Sequence, residues 1–429
     1  MTERPSVMKS AVRFALDSGL NMTLRGLTLA SKFFLMVYLA KVLTPEHLGV
    51  YALLTVTISY TLFLLGLDFY TYAQREMFSL PRSAWRGIIR SQFMFYAVVY
   101  VFILPLLLLI FIVDLLPWKM IGWFYLLVVF EHFSQELYRL LIACEKITEA
   151  NVTLFLRGGA WIFVVVLIMM RKPDLQSLSS ILFAWSIGVA ISVWFSIQTL
   201  HEKFRLIHEK STTDWQWIRR GLKVSGKFLL GTLALRGLFT FDRYFLDLYA
   251  GKSSVGVYSF YMSIAGAVMA FADAGIISKL YPKIVVAYRS GNFKEYRNQL
   301  KNLTIGIVSL YLIISSCIFV AIKPILHYIG RDIYLEHISI LWVLLGAMGV
   351  FTLGLVPHYA LYSRCADRVL VVASILSLLS FLCSAVYLTP KFGALGMALS
   401  VLIGVCFLFF IKVAFSVKTK PRQAVGILN

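Results

Sequence analysis

Apolar runs of 18 or more residues follow one another along almost the whole chain, separated by short polar segments that carry most of its charge. A bilayer core roughly 30 Å thick takes about 20 helical residues to cross. On that scale the runs predict twelve spans, at residues 14–41, 46–69, 89–115, 118–142, 150–170, 178–200, 226–249, 254–276, 302–326, 336–362, 367–388 and 394–416. No stretch between them is long enough for a soluble domain. The expected fold is an all-α integral membrane protein with twelve transmembrane helices.

Composition agrees with this pattern and adds an orientation. Of the 429 residues, 59% are apolar and 14% charged, with a net charge of +20, whereas a soluble domain carries about a quarter charged residues. The first thirteen residues are polar and basic and lead into an apolar run with no small-residue cleavage site, so they read as a retained cytoplasmic N-terminus. Lys and Arg concentrate in every second loop, above all in 201–227 and 278–301. The positive-inside rule then places both termini in the cytoplasm, with a basic cytoplasmic linker at 201–225 and a tail at 417–429. This charge is topogenic and attracted to anionic membrane lipids. Its dispersal over several loops, with no nucleic-acid-binding motif, argues against nucleic acid as a partner. The five cysteines are widely separated, mostly within apolar runs, and read as small buried residues rather than as a metal site.

A repeat organises the spans. LRGLTLASKFFLMVY (24–38) and LRGLFTFDRYFLDLY (235–249) agree at seven of fifteen positions, and GVY recurs at 49–51 and 256–258. Arg25 pairs with Arg236 and Lys32 with Arg243. The two copies open the first and seventh spans, which face the same way. The chain therefore reads as two parallel six-helix halves, 14–200 and 226–416, around a central cavity, an arrangement known from transporters. With the first span beginning near Phe14, Arg25 would lie about eleven residues, or roughly 16 Å, along the helix and close to mid-membrane.

The repeated cations are the candidate chemistry. Residues seven apart on a helix are about 20° out of register, so Arg25 and Lys32 share a face, as do Arg236 and Arg243. A charge at the bilayer centre costs about 2.5–3.5 kcal/mol on insertion scales and marks a functional position by default. Arg157, in FLRGGAW, is a fifth candidate cation, with Trp161 one turn on as a cation-π alternative. Asp242 and Asp247 could neutralise Arg243 within its own helix. Glu136 and Arg139 have the spacing of a pair. Glu131 has no partner at helical spacing, so it either answers an arginine across the cavity or takes a proton. Glu131, Glu136 and Asp242 are thus the candidate counter-charges or ion-coupling groups, for H+ or Na+. Phe33, Tyr38, Tyr244 and Tyr249 lie beside the cations and could stack on sugar, although packing or interfacial roles account for them as well. Pro105, Pro324 and Pro357 can kink their helices.

A cationic cavity suits an anion. There is no phosphate-binding loop and no zinc motif, and no cofactor or metal is implied. The outer loops are too short for the catalytic groups of an integral glycan polymerase or ligase, which is the enzyme alternative. The stretch VYLAKVLTPEHLGVYALLTVTISYTLFLLGLDFYTYAQRE (37–76), with the helix before it, resembles the first two helices of Wzx-type polysaccharide flippases in the multidrug/oligosaccharidyl-lipid/polysaccharide exporter superfamily. Length, span number and parallel halves agree with that resemblance. It implies two six-helix bundles whose first, second, seventh and eighth helices line the cavity. It also implies transport of an undecaprenyl-pyrophosphate-linked oligosaccharide across a bacterial inner membrane, for surface polysaccharide such as O-antigen or exopolysaccharide, alongside a polymerase machinery. Substrate contacts are then expected at Arg25, Lys32, Arg157, Arg236 and Arg243, since guanidinium forks bind phosphate oxygens bidentately. Two relatives compete. Lipid II flippases of the MurJ type have two further helices, and multidrug exporters of the superfamily would be expected to line their cavity with acidic residues.

Overall fold

The computed structural model describes residues 4–204 and 212–418. The first three residues of the N-terminal segment, 205–211 of the linker and 419–429 of the tail lie outside the described residues. Twelve long helices carry the described chain: α1 (Arg4–Val42), α2 (Pro45–Gly66), α3 (Trp85–Ile112), α4 (Ile121–Ala143), α5 (Ile147–Arg171), α6 (Leu178–Phe204), α7 (215–250), α8 (252–289), α9 (Phe293–Ile329), α10 (Ser339–Ser363), α11 (367–392) and α12 (394–418). The boundaries between α7 and α8 and between α11 and α12 are single glycines, Gly251 (φ 75°) and Gly393 (φ 54°). Both occupy the positive-φ region that a residue without Cβ enters at little cost.

Several boundaries differ from the apolar pattern. The second span was expected to run to residue 69, but α2 ends at Gly66, and Leu67 and Asp68 take φ of 45° and 52°. A short helix, Phe69–Ser79, then restarts the chain, and the Thr71 amide donates to the Asp68 carbonyl at 3.1 Å. Hydropathy does not register such a break, because an apolar leucine can occupy the turn. In the same way α1 and α7 begin at Arg4 and Trp215 rather than near 14 and 226. Polar residues continue these helices past the apolar stretch, since the backbone hydrogen bonds of a helix do not depend on hydropathy. The cysteines also depart from expectation. Only Cys144 is buried, while Cys317 and Cys383 are exposed on their helices, whose outward face is as apolar as the inward one, and Cys365 is exposed in the turn between α10 and α11, at φ 56°.

The helices group into two compact units: Met1–Leu35 with Thr61–Gly226, and Met36–Tyr60 with Lys227–Asn429. In the first, α4, α5 and α6 are joined by small hydroxyls, Ser134 to Ser192 and Thr153 to Ser196, each at 2.8 Å. Gly188 lies under Trp161, where a Cβ would come within 2.9 Å of the side chain. Trp217, at the start of α7, is buried against Phe69 and Tyr72 of the short helix, and a Cβ on Gly221 would meet the same two rings.

The second unit contains the end of α1 and most of α2. Tyr60 packs on Phe241 with ring centroids 5.5 Å apart, and Thr57 hydrogen-bonds Tyr244. At the start of α2 the two copies of the repeat meet. A Cβ on Gly49 would collide with the carbonyl of Lys252, and one on Gly256 with the carbonyl of Pro45. Gly49 and Gly256 are equivalent positions of the repeat, and each approaches the carbonyl four residues before the other. The contact is therefore reciprocal, and it requires glycine on both sides.

Candidate functional site

In the first unit the cations of α1 face two different environments. Arg25 is half-buried and donates from Nε to Oδ1 of Asn151 at 2.9 Å. Asn151 in turn donates to Asn21 at 2.8 Å and to the Ile147 carbonyl at 3.0 Å. The guanidinium is thus held by an amide, which orients it and leaves its charge in place. Lys32 is exposed, and its tip lies over Gly158, where a Cβ would come 3.2 Å from Cε. Its ammonium makes no ion pair or hydrogen bond among the described residues, although it lies in the fields of both Arg157 and Glu131.

Arg157 and Glu131 form an ion pair between α5 and α4, with side-chain exposures of 18% and 7%. The other carboxylate oxygen of Glu131 accepts from Trp185 Nε1 of α6 at 2.6 Å. Trp185 stacks on Trp161 at 6.3 Å, and Trp161 donates to the Arg157 carbonyl at 3.1 Å. The indole therefore serves Arg157 through its N–H, and the carboxylate holds the guanidinium. Around Arg157 the helix widens into one π-helical stretch, Leu156–Ala160, which inserts an extra residue per turn and is common at functional sites.

A second polar network lies further along α4. Glu136 is buried and accepts from Arg139, from Gln92 at 3.0 Å and from Tyr96 at 2.8 Å. Arg139 also covers the ring of Tyr70, 3.5 Å from its centroid. A cavity of about 20 Å³ lies beside this pair, room for one water molecule. His132 accepts or donates at Tyr100, 2.8 Å away, while its Nε2 is buried without a partner among the described residues.

The second unit treats its cations differently. Asp242 is fully buried and takes Nη1 of Arg243 on both oxygens, at 2.8 and 2.9 Å. Tyr258 donates to the same carboxylate at 2.8 Å, and Arg243 caps the Phe239 carbonyl at 2.7 Å. Asp247 pairs with Lys252 at 3.3 Å, so it is Asp242 that neutralises Arg243. Arg236 is exposed.

The structure thus brings Lys32, Arg157 and Glu131 together, places Arg25 and Glu136 in separate networks of the same unit, and joins Asp242 to Arg243. Sequence reading overlooked Lys412 of α12, which is 3% exposed, has no carboxylate partner among the described residues and lies in electrostatic range of His358. The only signal was one cation in the apolar run VLIGVCFLFFIKVAF, close enough to the tail to pass for a membrane-edge lysine.

Twelve apolar helices in a repeat-built chain, with charge buried inside each unit, define a multi-pass membrane protein with the fold of the MOP-superfamily transporters. An inward-facing MATE multidrug-resistance transporter matches with a TM-score of 0.71 at 13% identity, covering 92% of this chain and 94% of that one. The lipid II flippase MurJ, in an inward closed conformation, matches with a TM-score of 0.73 at 13% identity, covering 94% and 88%. An outward-facing MATE transporter gives 0.62 at 15% identity, covering 94% of each chain. These neighbours are transporters, and at such identities they establish the fold. No protein-family model matches the chain, and no curated protein matches it.

Proposed function

We propose that this protein is a flippase that moves an undecaprenyl-pyrophosphate-linked oligosaccharide across a bacterial inner membrane for surface polysaccharide synthesis. The observation that carries this reading is the electrostatics of α1. Arg25 is held by an amide and Lys32 has no counter-ion among the described residues, while the nearby carboxylate Glu131 is occupied by Arg157, and Glu136, in a separate network of the same unit, by Arg139. A surface that keeps two positive charges at membrane depth suits a pyrophosphate, which carries at least two negative ones. A polyprenyl tail can stay in lipid while the head group follows a hydrated, cationic path, avoiding the cost of bare hydrocarbon. Arg157 is the third contact in this reading, available if Glu131 releases it. Arg236 is the contact in the second unit, and Arg243 contributes after separation from Asp242. Glu131, Glu136 and Asp242 are the groups that would re-neutralise these cations on release, coupled to H+ or Na+. The distribution of Lys and Arg supports cytoplasmic termini, and a polymerase would receive the product on the far side.

The multidrug-exporter reading has the same fold in its favour, but an exporter of organic cations would need the opposite charge at Arg25 and Lys32. Reconstitution of the purified protein with lipid-linked oligosaccharide in liposomes tests the proposal. Leaflet exchange with unchanged glycan length is expected. Longer glycans would identify a polymerase, and absence of exchange alongside export of cationic dyes would identify a multidrug exporter.

A further inference from the structure

The second unit holds a group of aromatic and acidic side chains that the cationic site does not use. Within α8 a second π-helical stretch, Asp273–Ile277, interrupts the α-helix and carries an exposed carboxylate at Asp273. Beyond it on α8 is Tyr281, and facing it from α10 are Tyr359 and Tyr362. Ring centroids are 5.0 Å apart for Tyr281 and Tyr359 and 5.7 Å for Tyr281 and Tyr362. All three tyrosines are half-buried, and Tyr281 and Tyr359 rest on a closed core that includes Ile277, Ile284 and Leu355. Their positions are therefore fixed from behind while part of each ring stays accessible. Asp273 lies in electrostatic range of Tyr359, and it makes no ion pair or hydrogen bond among the described residues. The hydroxyls of Tyr359 and Tyr362 likewise have no hydrogen-bond partner there.

Interfacial tyrosines often only mark the level of the lipid head groups. A belt of that kind does not need a carboxylate, and an unpaired carboxylate exposed to hydrocarbon would be costly. The exposure of Asp273 thus fits an aqueous surface, which Tyr359, in its electrostatic range, would border. Rigid aromatic faces next to a carboxylate and free hydroxyls match one ligand chemistry well. The C–H face of a pyranose stacks on an aromatic ring, and its vicinal hydroxyls donate to the two oxygens of a carboxylate. Of the aromatics beside the cations, Tyr38 is buried and Tyr244 is engaged by Thr57, while Phe33 and Tyr249 are exposed but do not form, among the described residues, a cluster of packed rings like that of Tyr281, Tyr359 and Tyr362.

We propose that Tyr281, Tyr359, Tyr362 and Asp273 form a glycan-binding platform that holds the sugar portion of the lipid-linked substrate, separately from the cations that hold its pyrophosphate. This rests on the flippase reading. The test uses two probes in nanodiscs: undecaprenyl pyrophosphate carrying an oligosaccharide, and undecaprenyl pyrophosphate without sugar. The protein should bind the glycosylated lipid about tenfold more tightly, the scale of one or two aromatic contacts. Tyr359→Ala and Asp273→Asn should abolish that preference with binding of the sugar-free lipid unchanged, and Tyr359→Phe should retain most of it. Unaltered thermal unfolding verifies that the variants fold. Equal binding of both lipids by the unmodified protein, or variants that keep its preference, would overturn the platform and leave the flippase reading intact. Binding of neither lipid would overturn both.

Discussion

The two copies of the repeat, 24–38 and 235–249, have kept the same cation spacing and put it to different use. In the first copy Arg25 is held by an asparagine and Lys32 lies exposed against a glycine. In the second, Arg243 is 8% exposed and bound to the carboxylate of the preceding residue, with Tyr258 closing the group. The decisive difference is one residue: Ser31 precedes Lys32, and Asp242 precedes Arg243. Sequence similarity between halves thus preserves where a cation sits on the helix without preserving its net charge. At this second cation the first copy presents charge, whereas the second uses it to hold a helix pair together, while Arg25 and Arg236 at the first cation are half-buried and exposed.

That contrast breaks first at Asp242. Asp242→Ala would leave Arg243 buried without a counter-ion, a change that costs about 3–5 kcal/mol. Thermal unfolding of the purified variant should show a large loss, and adding Arg243→Leu should restore most of it. If the double variant is no more stable than the single one, Asp242 acts other than by neutralising Arg243. Glu131→Ala is the matching test in the first unit. Arg157 keeps 18% side-chain exposure and so retains partial solvation, and the loss should be smaller, about 1.5–3 kcal/mol, the worth of hydrogen bonds to a charged group.

The two glycine pairs of the repeat give a further, smaller distinction. Gly49 and Gly256 each approach a carbonyl, whereas Gly26 has nothing within 4 Å of a built Cβ. Gly49→Ala and Gly256→Ala should each destabilise by about 1–3 kcal/mol through overpacking, and by similar amounts, since their contacts are reciprocal. Gly26→Ala should cost nothing and can add up to about 1 kcal/mol of helix propensity. Unequal losses at 49 and 256 would show that the contact is not two-fold in character.

Much of this organisation was legible in the chain. The spans follow from apolar run lengths, and the repeat from two cations and a GVY that recur in register. The recurrence of GVY marked equivalent positions of the repeat, but that Gly49 and Gly256 meet is given only by the structure. Asp242 raised the question of neutralisation because it is adjacent to Arg243. That Glu131 could answer an arginine was legible from its lack of a helical partner, but that the arginine is Arg157 was not, since the two are 26 residues apart in sequence and meet only through the packing of α4 on α5. The π-helical stretches were also hidden, because an extra residue in a turn leaves composition unchanged. Lys412 was missed for a different reason: apolar runs show that a helix spans, and do not show which of its faces is turned inward.

The smallest expected effect on stability comes from Lys32, and it bears most directly on function. Lys32 is exposed and has no partner to strand, so Lys32→Ala should change folding stability by no more than about 0.5 kcal/mol. Its loss removes a positive charge from the presented face and leaves the Glu131–Arg157 pair as the nearest charge, which is close to neutral overall. Binding of undecaprenyl pyrophosphate should weaken, and the salt dependence of that binding should become shallower, because one fewer cation is available to be screened. Lys32→Arg should retain binding, as it keeps the charge. A variant that folds normally and exports surface polysaccharide at the level of the unmodified protein would show that the first copy of the repeat presents no working charge at this position, and the contrast between Lys32 and Arg243 would then be one of packing alone.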